Sequence, residues 1–175
     1  MDSPRLPRLA IVAFALLMGA CMTPKVTADH DPTADFSKLH TFQWLDGEQK
    51  RTGALRMGPE AVDGLIRDVV ERELSGKGIT PQADGAPDFL LRYHAAVGTE
   101  ILVATVSRDA GGSTRSLPVR HDVGTLVIDV VEPDGQRVIW QASLQAEVDR
   151  YLPREKRRER LTGFVHRMFE SFPPK

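Results

Sequence analysis

The chain predicts an α+β fold: a mostly antiparallel sheet with two amphipathic helices packed on one face, a two-layer sandwich. Three observations carry this. Val62, Leu65, Ile66, Val69, Val70 and Leu74 fall at offsets 0, 3, 4, 7, 8 and 12, one apolar stripe at helical period. Leu161, Phe164, Val165, Met168, Phe169 and Phe172 repeat the stripe at offsets 0, 3, 4, 7, 8 and 11. Between these segments the period changes to two, most cleanly where Val138, Trp140, Ala142, Leu144, Ala146 and Val148 alternate with Ile139, Gln141, Ser143, Gln145 and Glu147. A sheet with one apolar face needs a cover, and two one-sided helices supply it.

Each element has its own local signals. Met22 to Thr33 is polar, carries Pro24 and Pro32, and suits a tether that becomes the first edge of the domain. Thr41-Phe42-Gln43-Trp44-Leu45 alternates as a strand, and Asp46 to Gly58 is polar with three glycines, as a loop. Pro59 suits the first position of a helix, Asp63 and Arg67 pair at i,i+4, and Gly76 and Gly78 stop it. Phe89, Leu91, Tyr93, Ala95 and Val97 form one face of a strand; Gly98-Thr99 is placed to turn it into a further strand from Ile101 to Val106. Asp109 to Pro118 is rich in Gly and Ser and predicts a flexible loop. Leu126, Ile128 and Val130 open another strand, and Glu132-Pro133-Asp134-Gly135 fits a type I turn. Pro173-Pro174 terminates the second helix, and three of the seven phenylalanines lie on that last segment.

Ahead of the domain stands a leader. Arg5 and Arg8 form a short positive region, and Leu9 to Ala20 an apolar one. That run is too short for a bilayer, which needs about 20 apolar residues, so residues 1–20 suit a processed signal peptide. Leu17-Met18-Gly19-Ala20-Cys21 then resembles the lipobox of bacterial lipoproteins, with Met18 where leucine is usual. The resemblance implies cleavage before Cys21 and acylation of its sulfur and the new N-terminus. An ordinary secretory signal with an incidental cysteine is the alternative. Each buried methylene adds about 0.8 kcal/mol of membrane affinity, so several chains make a permanent anchor. Met22 is not the aspartate that retains such proteins at the inner membrane, which favours the outer membrane, facing the periplasm. The organisation expected is therefore leader 1–20, lipidated N-terminus and tether 21–33, and domain 34–175.

Composition limits the rest. Cleavage leaves 155 residues, enough for one domain with a real core. It removes Arg5, Arg8 and Asp2, so the formal charge moves only from −1 to −2, which gives no argument for nucleic acid. Cys21 is the single cysteine, so no intrachain disulfide can form and the core holds by packing.

Several motifs in order resemble a known family. Asp35-Phe36-Ser37-Lys38-Leu39-His40-Thr41-Phe42-Gln43-Trp44 is similar to the opening pattern of the DUF4136 lipoproteins. Leu74 to Ile79 with Lys77-Gly78, Pro87-Asp88-Phe89-Leu90-Leu91, Gly124 to Asp129, Val138-Ile139-Trp140-Gln141-Ala142 and Phe172-Pro173-Pro174 follow in the family's order. Gln141 departs from the basic or small residue expected there. The resemblance implies a bacterial envelope lipoprotein and brings no catalytic residues with it.

The residues themselves offer few candidates for chemistry. Asp29-His30-Asp31 has the side chains of a metal site, yet neighbours in an extended segment point apart, so a solvated tether is the simpler reading. His94 and His121-Asp122 are candidate bases, but each sits on or beside the polar side of a strand. No G-x-S-x-G elbow is present, and Gly111-Gly112-Ser113 lacks the lysine and strand–helix context of a phosphate loop. Trp44 and Trp140 suit the core, or else the wall of a ligand groove between helices and sheet. The sharpest charged feature is Arg154, Lys156, Arg157, Arg158 and Arg160 at the start of the second helix, an anion or partner contact set against a solvated face softened by Glu155 and Glu159. The expectation is a non-enzymatic, membrane-anchored periplasmic binding or structural module without cofactor or metal. Its partners would be an envelope protein or anionic lipid. A lipid or small-ligand carrier with its site between helices and sheet is the alternative, and an envelope hydrolase using His94 or His121 the more distant one.

Overall fold

The computed structural model describes residues 23–45, 50–52, 59–108, 113–149 and 151–174. Cys21 and the leader lie outside the described residues, as do Gly111 and Gly112. The elements are β1 (Lys25–His30), β2 (Thr41–Trp44), β3 (Lys50–Thr52), α1 (Pro59–Gly76), β4 (Thr80–Pro81), β5 (Phe89–Arg108), β6 (Ser113–Val131), β7 (Val138–Glu147) and α2 (Arg154–Met168). A single 3-10 turn, Phe36–Lys38, precedes β2.

The strands form one sheet in the order β1-β7-β6-β5-β2-β4, with β3 also on β5. The sheet is mixed, which corrects the mostly antiparallel expectation. β1, β7, β6 and β5 pair antiparallel, but β2 and β3 run parallel to β5, and β4 runs parallel to β2. The cause is the connection. α1 carries the chain back between β2 and β5, and a helical crossover returns a strand in the same direction.

Three further expectations change. Residues 25–30, expected in the tether, form β1 along the edge of β7 from Trp140 to Gln145. Gly98-Thr99 does not turn: β5 stays extended for 20 residues and pairs with β6 from Leu90↔Val131 to Arg108↔Ser113. Ser113 to Pro118, expected in a loop, is therefore strand. Because β7 pairs β6 only from Val123 onward and β3 reaches β5 only at Ala96, the outer part of this hairpin extends beyond the sheet as a two-stranded ribbon about 35 Å long.

One face of the sheet carries the core. Phe42, Phe89, Leu91, Tyr93, Ile128, Val130, Trp140 and Ala142 are buried there, under Ile66, Val69, Val70 and Leu74 of α1 and Val165 and Met168 of α2. α1 ends in a Schellman motif: Ile79 N–H donates to the Leu74 carbonyl and Gly78 N–H to that of Ser75, with Gly78 at φ 79°. Leu74 and Ile79 are both buried, the apolar contact that accompanies this cap. After α2, Phe169 and Phe172 fill the far end of the core against Trp140, with centroids 5.0 and 4.9 Å from its ring.

Candidate functional site

Side-chain size falls along the helix-facing side of the sheet. β5 reads Phe89, Leu91, Tyr93, then Ala95 and Val97; β6 reads Val130, Ile128, Leu126, then Gly124; β7 reads Trp140, Ala142, Leu144, then Ala146. The first rows meet the helices tightly. At the last rows the small residues leave space, and an apolar pocket of about 190 Å³ opens there. Ala95, Gly124 and Ala146 form its floor, Leu65 and Ile66 of α1 one wall, and Leu161 and Phe164 of α2 the other. Gly124 is required by packing: a Cβ there would lie 2.8 Å from Val148 Cγ2.

Arg157 and Arg160 stand at the α2 side of this pocket. Arg160 stacks over the Phe164 ring at 5.3 Å from its centroid. Arg157 Nε is buried and has no hydrogen-bond partner among the described residues. Two carboxylates also line the pocket, and both are engaged. Glu147 Oε1 lies 3.3 Å from His121 Nδ1, and Asp149 Oδ1 accepts from the Tyr151 N–H at 2.8 Å.

The pocket lies at the end of the sheet where β1 begins. Lys25 pairs with Gln145, Gln145 with Thr125 and Thr125 with Ala96, one row across four strands. Residues before Lys25 therefore leave past the row that floors the pocket, and the ribbon leaves in that direction too. Pro24 shares a shallower groove with Leu152, Lys156, Arg160, Phe164 and Arg167. The ribbon carries exposed apolar side chains, Ile101 at 61%, Leu117 at 43% and Val119 at 38%.

The five predicted cations do not form one patch. Lys156 pairs with Glu159 at 2.7 Å, and that carboxylate raises the lysine's pKa; Arg158 pairs with Asp68 of α1. Only Arg157 and Arg160 reach the pocket, while Arg154 is exposed at the helix start. His94 Nε2 lies 3.8 Å from Asp129 Oδ2 on the face away from the helices, so neither it nor His121 joins the pocket lining. The residues of the candidate metal triplet are divided. His30 packs edge-on to Phe36, while Asp31 accepts from Thr33 and from Arg137, which lower its pKa. Among the described residues no three His, Cys, Asp or Glu side chains come together as a metal cluster. Trp140 is core; Trp44 is half-buried, donates to Glu71 Oε1 at 2.8 Å and lies under Arg67. The pocket floor was legible as alanines and a glycine ending three apolar rows, a signal that alternation alone does not weigh.

Among the described residues no helix is long and apolar enough to cross a membrane. The chain is similar in fold to a PDZ domain protein from Parabacteroides distasonis, at TM-score 0.56 and 14% identity over 87% of this chain and 36% of that one. The chain thus spans about a third of that protein's length. PelC from Paraburkholderia phytofirmans, crystallised as a dodecamer, aligns at TM-score 0.48 and 11% identity, covering 84% of this chain and 95% of that one. A homolog of neuraminyllactose-binding hemagglutinin from Helicobacter pylori aligns at TM-score 0.43 and 14% identity, over 83% and 93%. No curated protein matches the sequence. The pattern of the domain of unknown function DUF4136 runs from residue 26 to residue 174, and the chain belongs to that family.

Proposed function

We propose that this chain is a lipid-anchored, non-enzymatic binding module of the bacterial envelope, held at Cys21 in the outer membrane and facing the periplasm. Its binding site is the apolar pocket between the helices and the sheet. The observation that supports this best is the position of that pocket, open at the end of the sandwich from which the chain leads back to Cys21. Lys25 stands four positions after Cys21, a reach of at most about 14 Å. An anchor on so short a tether would keep the pocket, the ribbon and the exposed Tyr151 close to the leaflet, where aromatic side chains favour the interface.

Two assays test the reading. In membrane fractionation, the wild type partitions with membranes and Cys21→Ala is soluble. The soluble form binds the uncharged apolar dye N-phenyl-1-naphthylamine, and Ala95→Phe, which fills the pocket floor, abolishes that binding. Soluble wild type overturns the anchor; dye binding unaffected by Ala95→Phe overturns the pocket.

A second reading, in which the module docks an envelope protein, is favoured by the ribbon. Beyond Ala96 on β5 and before Asp122 on β6, both its outer edges are free of ladder pairing among the described residues, which suits strand addition. Deleting residues 101–120 would then abolish crosslinks to a defined neighbour in intact cells while dye binding persists. Unchanged crosslinks would exclude the ribbon.

A further inference from the structure

We propose that the pocket takes a single-chain amphiphile with an anionic head, carboxylate or phosphate, its tail in the pocket and its head on Arg157 and Arg160. This rests on the pocket being a binding site, and it names the ligand class.

The walls specify the tail. Leu65, Leu126, Leu161 and Phe164 meet over a floor of alanines and glycine, an apolar surface that suits a hydrocarbon tail. The volume limits it. An engineered apolar cavity of about 150 Å³ holds benzene, so about 190 Å³ gives room for one apolar chain segment.

Arginine chemistry specifies the head. A guanidinium N–H taken out of water without an acceptor is a costly state, and Arg157 Nε is in it. A carboxylate or phosphate at the pocket mouth would supply the acceptor in the geometry that the planar guanidinium fork matches. Arg160 adds a second cation on the same helix, held at the apolar edge by its stacking on Phe164. Two carboxylates share the lining with this pair: Glu147 Oε1 lies 3.3 Å from His121 Nδ1, and Asp149 Oδ1 accepts from the Tyr151 N–H, while no ion pair joins either to Arg157 or Arg160 among the described residues. The position of the site at the tether end adds a source, the membrane that holds the anchor.

The test is displacement of N-phenyl-1-naphthylamine from the soluble Cys21→Ala protein by decanoate, decyl phosphate, decanol and inorganic phosphate. Decanoate or decyl phosphate should bind at least about tenfold more tightly than decanol, as a charge-assisted hydrogen bond predicts, and inorganic phosphate should not displace the dye. The tighter of the two anionic ligands identifies the head as fatty acid or phosphate monoester. Arg157→Gln should narrow the gap between anionic and neutral ligands, and Arg160→Gln should narrow it too, a second variant should the first fail to fold. Equal binding of decanoate, decyl phosphate and decanol to the parent overturns the anionic head and leaves the pocket standing. Failure of all three, decanol included, overturns the pocket itself.

Discussion

Among the described residues Asp129 is the one buried charged residue, on the sheet face away from the helices, and its removal is a sharp test of the fold. Its side chain is 3% exposed. Oδ2 accepts from Arg92 Nε at 2.9 Å on β5, and Oδ1 from Gln141 Nε2 at 2.8 Å on β7. Arg92, Asp129 and Gln141 occupy one register row, so a single carboxylate links three strands. Taking a charge out of water is expensive, and breaking such a pair from one side costs about 3–5 kcal/mol because the other charge stays behind. Arg92 is 20% exposed and recovers some hydration, so Asp129→Ala belongs at the lower end, about 3 kcal/mol. At about 2–4 °C per kcal/mol for a domain of this size, the melting temperature falls by about 6–12 °C. The pair itself need not stabilise the fold, because replacing both partners with apolar groups is often neutral. Arg92→Met/Asp129→Leu should therefore be less destabilised than Asp129→Ala alone. Urea unfolding followed by circular dichroism measures all three proteins. A cost below about 1 kcal/mol for Asp129→Ala, or a double variant destabilised as much as Asp129→Ala or more, would refute the reasoning.

Other consequences follow from the same packing. Phe172 is 2% exposed and contacts the rings of Phe36, Phe89, Trp140 and Phe169, so Phe172→Ala should cost about 3–5 kcal/mol by urea unfolding; a loss under 1 kcal/mol would mean that the chain end does not close the core. Gly124→Ala drives a methyl into stiff, β-branched Val148 and should cost about 1–3 kcal/mol, with Val148→Ala restoring part of it; no rescue would place the clash elsewhere. Acid stability should report two loop carboxylates. Lys38, then Ser37, holds Asp35 at about 2 against an ordinary 3.8, and the His40 backbone N–H, with Thr41, holds Asp88 below its ordinary value. Both are depressed in the fold, so their contribution is complete above the ordinary carboxylate value and is lost as pH falls through the folded one, for Asp35 from about 4 to about 2. Asp35→Asn and Asp88→Asn should each flatten the fall of the urea midpoint between pH 5 and 2, and an unchanged slope contradicts the assignment.

Much of this architecture was legible because packing repeats at the backbone's own period. The stripes from Val62 to Leu74 and from Leu161 to Phe172 are the faces buried in the structure, and Gly78 ends α1 where its positive φ is needed. Strand direction was not legible. Alternation in Thr41 to Trp44 and Phe89 to Val97 is the same whichever way the strands run, and their parallel pairing comes from the α1 crossover. Gly98 reads as a turn in sequence, yet the pairing of β5 with β6 continues through it, from Val97↔Gly124 to Thr99↔Asp122. β1 offers only Val26 and Ala28 on its core side, too short an apolar signal to mark a strand in sequence, and its backbone hydrogen bonds to β7 place it at the edge. At the site, the arginines were visible as charges, but their division was not. Lys156 and Arg158 spend their charge on Glu159 and Asp68, while Arg157 and Arg160 meet the pocket, and that depends on which helical face meets α1 and the sheet.

The most direct measurement is lipid extraction and mass spectrometry of the full-length protein purified from cells, the wild type beside Ala95→Phe. The account predicts a single-chain anionic amphiphile at about one per chain on the wild type, in addition to the covalent anchor, and its loss from Ala95→Phe at equal thermal stability. Equal recovery of amphiphile from both proteins, or none from either, would contradict the pocket as the working site of this envelope module.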